Sequence, residues 1–178
     1  HGPFEFGKST TTKIDELLPV CEILWLETKH FRIGFALGSY KVKLEEKKKV
    51  LAELTRLHEV LPEVKPETQI LDPWLRLLMY AQRCEELYAR FVEIIAAQNV
   101  TWPDGPGKWA IGGEYFGEGP YLGMQKKYEF LVLPSEAAHV EYLTYDAGLR
   151  IKKSQRWHFV DLGKITLICH AQQGNLRQ

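Results

Sequence analysis

The sequence predicts an α+β fold, with about three N-terminal helices packed on one face of a C-terminal four- to five-stranded antiparallel sheet. Three observations predict it. An acid-capped apolar stripe runs at helical spacing from Asp72 to about Asn99, the turn cluster Trp102-Pro103-Asp104-Gly105-Pro106-Gly107 follows, and short alternating segments then continue to Ala171. Residues 1–178 read as a single domain, its helical layer over about 12–99 and its sheet layer over about 107–171.

The composition is that of an ordinary globular chain: 178 residues, 45% hydrophobic and 26% charged, which excludes disordered and collagen-like classes. Twenty-three basic residues balance 23 acidic ones, so any attraction to nucleic acid or anionic lipid needs a local patch. The three cysteines, Cys21, Cys84 and Cys169, are far apart among apolar neighbours and lack metal-binding spacing. They read as buried free thiols, and the expected location is intracellular and reducing. The chain begins His1-Gly2-Pro3 without an initiator Met, which suggests a trimmed or processed terminus. Leu17–Leu37, the most apolar early stretch, carries Glu22, Glu27, Lys29, His30 and Arg32, too many charges for a membrane span.

Thr12 or Asp15 is expected to cap a first helix, because Leu17, Leu18, Cys21, Leu24 and Trp25 recur at three- and four-residue spacing. Pro19 fits such a helix only in its first turn. His30–Ser39 is nearly continuous apolar sequence broken by Gly34 and Gly38; packed helix and strand both fit, and helix is favoured. Leu44, Leu51, Leu54, Leu57, His58 and Leu61 form one stripe opposite Glu45–Lys49, Glu53 and Arg56, a helix ended by Pro62. The segment from Pro62 to Thr68 is a surface loop.

Asp72-Pro73-Trp74 starts the longest helix: the acid accepts free amide hydrogens, and proline in the first turn loses no needed donor. Its face comprises Trp74, Leu77, Leu78, Ala81, Cys84, Tyr88, Phe91, Val92 and Ile95, with Glu86 and Arg90 an i,i+4 pair opposite. Gly112–Gly123 mixes glycine and aromatics too closely for a regular element, and reads as a long loop or irregular edge hairpin. Tyr128–Leu133 makes a strand, and Val140, Tyr142 and Thr144 alternate with Glu141, Leu143 and Tyr145 in the next. Asp146-Ala147-Gly148 closes a hairpin onto Leu149 and Ile151, and Trp157–Val160 pairs with Ile165–Cys169.

Candidate chemistry is sparse. Gly2-Pro3-Phe4-Glu5-Phe6-Gly7-Lys8-Ser9 matches GxxxxGK[ST], but no strand precedes it to carry a phosphate loop, so the match reads as chance. In the Gly112–Gly123 segment, Tyr115, Phe116 and Tyr121 offer aromatic faces and Glu114 and Glu118 offer carboxylates, as a binding loop does; a glycine-bent edge strand is the bland alternative. His58, His139, His158 and His170 lack metal-binding spacing, no metal or cofactor is expected, and His158 with Asp161 is the first pair for acid–base work. Ser135 and Ser154 have no placed base. Arg150, Lys152, Lys153, Arg156 and Lys164 interleave with Trp157 and Phe159, a pattern that suits single-stranded nucleic acid or, more simply, a solvated sheet face.

The leading expectation is a non-enzymatic protein-binding or assembly module that engages another protein or a second copy of itself. Eleven aromatics follow Thr101, more than one small core holds, so the sheet face with Trp157 and His158 and the loop with Glu114, Tyr115, Phe116, Glu118 and Tyr121 are the expected contacts. The alternatives are single-stranded nucleic-acid binding through the basic hairpins of 149–164 and a small-molecule or enzymatic pocket between helices and a curved sheet. The pocket would be lined by Tyr128, Tyr142, Trp157 and His158, with Asp161 or Glu141 as its polar group. In element order alone, that last arrangement is similar to the cone-shaped nuclear-transport-factor-2-like superfold, which hosts isomerases, dehydratases and non-catalytic subunits.

Overall fold

The computed structural model describes residues 2–94, 107–108, 114–115, 120–146, 148–153, 156–161 and 163–171, with the backbone alone at 107–108, 114–115 and 159–161. The chain starts with a hairpin, β1 (Glu5–Phe6) and β2 (Ser9–Thr10), followed by α1 (Thr11–Leu17), β3 (Leu24–Glu27), β4 (Phe31–Phe35) and β5 (Tyr40–Lys41). A 3-10 turn (Leu44–Glu46) leads into α2 (Lys47–Val60), then β6 (Ile70–Leu71) and α3 (Pro73–Ile94). The short pair β7 (Gly107–Lys108) and β8 (Glu114–Tyr115) precedes β9 (Tyr128–Leu133), α4 (Glu136–Tyr145), β10 (Arg156–Asp161) and β11 (Lys164–His170).

The fold is α+β, but the expected antiparallel meander is corrected to a mixed five-stranded sheet ordered β10-β11-β9-β4-β3. Its three central strands are parallel: β4 pairs with β9 and β9 with β11. Antiparallel hairpin partners β3 and β10 form the two edges. Parallel neighbours require crossovers, and the intervening chain contains α2 and α3 in one case and α4 in the other. Helices therefore cover both faces, which also overturns the expectation of a helical layer on one side. α3 seals one face, where Ile33, Phe35 and Val132 meet Leu77 and Ala81. On the other, Leu131, Leu133 and Ile168 pack beneath α1, α4 and the N-terminal hairpin through Ile14, Leu143, Tyr142 and Phe6. α2 lies on α3 through Val50, Leu54, Leu57 and Met79.

Four expected elements change for identifiable reasons. α1 stops at Leu17, capped by the Thr10 side chain, and Pro19 follows it, so Leu24 and Trp25 belong to β3 rather than to the first helix. The apolar run after His30 contains β4, a strand with neighbours on both sides, whose Phe31, Ile33 and Phe35 turn toward α3 while Arg32 and Gly34 take the opposite face. The expected strand at Val140–Thr144 is α4: Ser135 Oγ accepts from the Ala138 amide at 3.2 Å, and Ala138, His139, Tyr142 and Leu143 bury one helical face. Asp146 caps the end of that helix, Gly148 lies at φ +69°, the Leu149 amide bonds to Leu143 O, and Leu149 and Ile151 form no strand in place of the expected hairpin. These parallel pairings and the helical α4 also remove the nuclear-transport-factor-2-like likeness, which needs an antiparallel meander.

Other expectations hold. α2 and α3 form where the stripes place them, and Asp72 Oδ1 caps α3 by accepting from Leu75 N at 2.9 Å. The hairpin of β10 and β11 turns at Gly163, φ +69°. The expected Glu86–Arg90 pair is replaced, because Glu86 takes Arg56 of α2 at 2.8 and 3.1 Å while Arg90 turns to Glu93. Residues 95–106 lie outside the described residues, as do 112–113 and 116–119 of the Gly112–Gly123 segment, whose Glu114–Tyr115 pairs with Gly107–Lys108. Among the described residues no helix is long and apolar enough to cross a membrane.

Candidate functional site

The β3–β4 hairpin places β3 at one edge of the main sheet. Thr28 N donates to Phe31 O at 2.8 Å, closing the turn as a hydrogen-bonded pair. Antiparallel pairs alternate, so Leu26–Ile33 and Leu24–Phe35 are the bonded pairs of this ladder. Trp25 and Glu27 then turn their amide and carbonyl groups outward, along an edge that carries no further strand among the described residues. Leu24 and Leu26 share the face that packs toward α3.

Two clefts lie along this edge. One, of about 420 Å³, is bounded by Thr11, Thr12 and Asp15 of α1, by Leu24 and Trp25 of β3, and by Trp74 of α3. The other, of about 550 Å³, is lined by Leu26 and Thr28 together with Leu57 and Val60 of α2 and Leu78, Ala81, Gln82 and Glu85 of α3. Trp74, Leu78, Ala81 and Glu85 follow one stripe of α3, so the helix forms one wall of both clefts. Asp15, Glu59, Glu85 and Glu86 face these openings against one cation, Arg56, which gives them an acidic character.

A polar cluster fixes the hairpin end of the furrow. Glu85 Oε1 accepts from Thr28 Oγ1 at 2.6 Å and from the His30 amide at 2.9 Å, while Oε2 meets His30 Nδ1 at 2.5 Å. Burial pushes the Glu85 carboxyl upward, but these hydrogen bonds outweigh it and hold the group below the ordinary carboxylate range. The His30 ring stacks on Tyr88 with centroids 3.8 Å apart, and Tyr121 meets its edge at 6.4 Å. Lys127 anchors the same turn by donating to Thr28 O at 2.6 Å. At the other end, Trp25 Nε1 donates to Asp15 Oδ1 at 2.9 Å, which ties α1 to the edge strand.

Comparison with protein-family models, curated protein sequences and solved structures found no match. Function must therefore be argued from geometry alone.

The residues expected to bind are dispersed. Tyr121 is half-buried beside His30, and its carbonyl accepts from Tyr128 Oη at 3.1 Å. Phe116 and Glu118 lie outside the described residues, as do the side chains of Glu114 and Tyr115 on β8. Trp157 is half-buried on β10, packed against the cluster beneath α4, and His158 is exposed. Asp161, expected to assist His158, has its side chain outside the described set. Tyr142, an expected pocket wall, is sealed in the core.

Arg150, Lys152, Lys153 and Arg156 are exposed, but Lys164 leaves that basic set. It is buried and donates to Glu129 Oε1 at 3.3 Å and to Gly7 O. Glu129 Oε2 accepts from Thr166 Oγ1 at 2.5 Å and from Gly7 N at 2.8 Å. The Gly7 turn, φ +58°, is thus a hairpin corner whose amide a carboxylate already fills, and not a phosphate loop. The other described histidines are in hydrogen-bonding contact: His58 Nδ1 meets Val64 O at 2.8 Å, and His139 Nδ1 meets His170 Nδ1 at 3.0 Å. Among the described residues no group of three metal-ligating side chains occurs. Cys21, Cys84 and Cys169 are free, and burial pushes the Cys84 and Cys169 thiols up to about 11, which keeps them protonated near neutrality.

Sequence reading missed the furrow because β3 was assigned to a helix, and an edge does not exist until strand order is known. The available signal is weak: Trp25-Leu26-Glu27-Thr28 and Phe31-Arg32-Ile33 flank the two-residue turn Lys29-His30, a hairpin length without the usual turn glycine or asparagine.

Proposed function

We propose that this chain is a protein-interaction module that accepts an extended segment of a partner along the open edge of β3. The observation that carries the reading is the outward pair of peptide groups at Trp25 and Glu27, set between two apolar clefts. A partner strand bonds to those groups, and its alternate side chains enter the clefts on either side of the rim. The acidic lining favours a segment in which basic residues alternate with apolar ones. Affinity comes from main-chain pairing and apolar burial; the charges contribute selectivity and association rate.

The test uses a fluorescein-labelled peptide, Lys-Val-Lys-Val-Lys-Val, and follows its anisotropy. Binding is expected, and it weakens at least about tenfold, or about 1.4 kcal/mol, when alternate backbone amides are N-methylated or every lysine becomes glutamate. Gln82→Trp, which narrows the larger cleft from a half-buried position, weakens it, and so does Glu59→Lys on the exposed face of α2. Equal binding of the N-methylated peptide, or no binding of the parent, overturns the reading.

A further inference from the structure

A separate cleft lies where the start of α2, the β5–β6 pair and the first turns of α3 meet. It encloses about 90 Å³ and is lined by Tyr40, Glu46, Lys49, Val50, Leu71, Arg76, Met79, Tyr80 and Arg83. Since one water occupies about 30 Å³ of liquid, this space suits a small polar group rather than a whole large ligand.

Arg76 dominates it. The residue is only 9% exposed, yet its guanidinium meets no carboxylate among the described residues. Its side-chain bond goes to the carbonyl of Gly38, and the guanidinium carbon lies 5.4 Å from the Phe35 ring centroid and 5.5 Å from that of Tyr40. Burial lowers its pKa, and the neighbouring Tyr80 and Tyr40 oppose that effect. A guanidinium carries five N–H donors; one nitrogen is taken by the Gly38 carbonyl, and the others, neither fully buried nor bonded to the protein, open onto the cleft. Buried arginines are ordinarily paired with an acid.

The remaining charges of the lining do not supply that acid. Glu46 is engaged by Tyr40 Oη, and Arg83 is held by Glu53 Oε2 at 2.5 and 3.0 Å. Lys49 is exposed at the mouth, so three cations line the cleft against one carboxylate. Arg76, Tyr80 and Arg83 share one stripe of α3, which aims a fork, a ring and a second fork at the same opening. Val50, Leu71 and Met79 complete an apolar side suited to a flat body behind the charged head.

We propose that this cleft is an oxyanion-binding site, in which Arg76 holds the carboxylate or phosphate head of a ligand by paired N–H bonds and Lys49 draws the anion in. Planar two-pronged recognition is what a guanidinium provides and an ammonium does not, so Arg76→Lys keeps the charge but loses the fit. The site shares no lining residue with the β3 furrow, and its ligand does not depend on the partner proposed there.

The experiment is calorimetric titration of the whole chain with benzoate, phenylphosphate and the neutral isostere benzamide, at low and at physiological salt. Benzoate or phenylphosphate is expected to bind and benzamide not to. The stronger of the two anions identifies the head group, and its affinity falls with added salt. Arg76→Gln should lower that affinity at least about tenfold, and Arg76→Lys nearly as much. Because Arg76 also packs on two rings, Lys49→Glu serves as a second variant at an exposed position; it should weaken the anion severalfold without altering the fold. Equal binding of benzamide, absence of anion binding, or unchanged affinity in both folded variants would overturn the site and leave Arg76 a packing residue.

Discussion

A methyl group at Gly34 would lie 2.7 Å from Leu131 Cδ1 and closer still to the Trp25 ring, because β4 is clasped between the edge strand's indole and β9. Gly34→Ala should therefore destabilise the protein by about 1–3 kcal/mol, read from urea midpoints, despite the better strand propensity of alanine. Glu129 and Lys164 form the second critical contact at this scale. Each is nearly inaccessible, so Lys164→Met strands a buried carboxylate and should cost about 3–5 kcal/mol, while the double variant with Glu129→Leu costs less than the sum of the single changes. Such a lone acid in the run Tyr128–Leu133 was readable in the sequence as a group that must find a partner. The identity of that partner was not readable, since Lys164 is brought to it by strand order alone. Arg76 has the same history: its spacing with Tyr80 and Arg83 is visible, but its burial depends on β5 and β6 closing over it.

Among the elements, those governed by local chemistry were legible. Asp72-Pro73 and the stripe after it specify α3, and the charged stripe specifies α2. Asp72→Ala should cost about 1 kcal/mol in thermal or urea unfolding through loss of the bond to Leu75 N. α4 was legible only in part: β-branched Val140 and Thr144 suggest alternation, yet Ser135 as cap and the spacing of Ala138, Tyr142 and Leu143 fit a helix better. Ser135→Ala tests that assignment, and a loss of similar size is expected from a capped helix but not from a turn before a strand. β4 was illegible because its alternation, Phe31, Ile33 and Phe35 against Arg32 and Gly34, lasts only five residues before apolar Ala36 and Leu37 blur it, and pairing with β3 and β9 decides between strand and helix.

The whole molecule couples these elements through charges at their junctions. Burial raises the Glu27 carboxyl, but hydrogen bonds from Arg32 and Lys127 prevail and hold it low; Arg56 lowers Glu86 directly, and the Thr28–His30 turn lowers Glu85. A carboxylate whose folded pKa is depressed stabilises the protein above its unfolded value near 4.5, and that stability is lost as the pH falls through the folded pKa. Asp15, raised chiefly by burial, acts in the opposite sense. Urea midpoints should thus fall between pH 6 and about pH 3, and Glu85→Gln should flatten part of that fall. Above all these sits the open edge of β3, on which the proposed function rests. Its most direct measurement is amide hydrogen exchange at Trp25 and Glu27, with and without the Lys-Val-Lys-Val-Lys-Val peptide. In the free protein both amides should exchange faster than those of Leu24 and Leu26, and saturating peptide should slow them. If they are already as protected as Leu26, or if the peptide leaves them unchanged, the edge is not open for a partner strand.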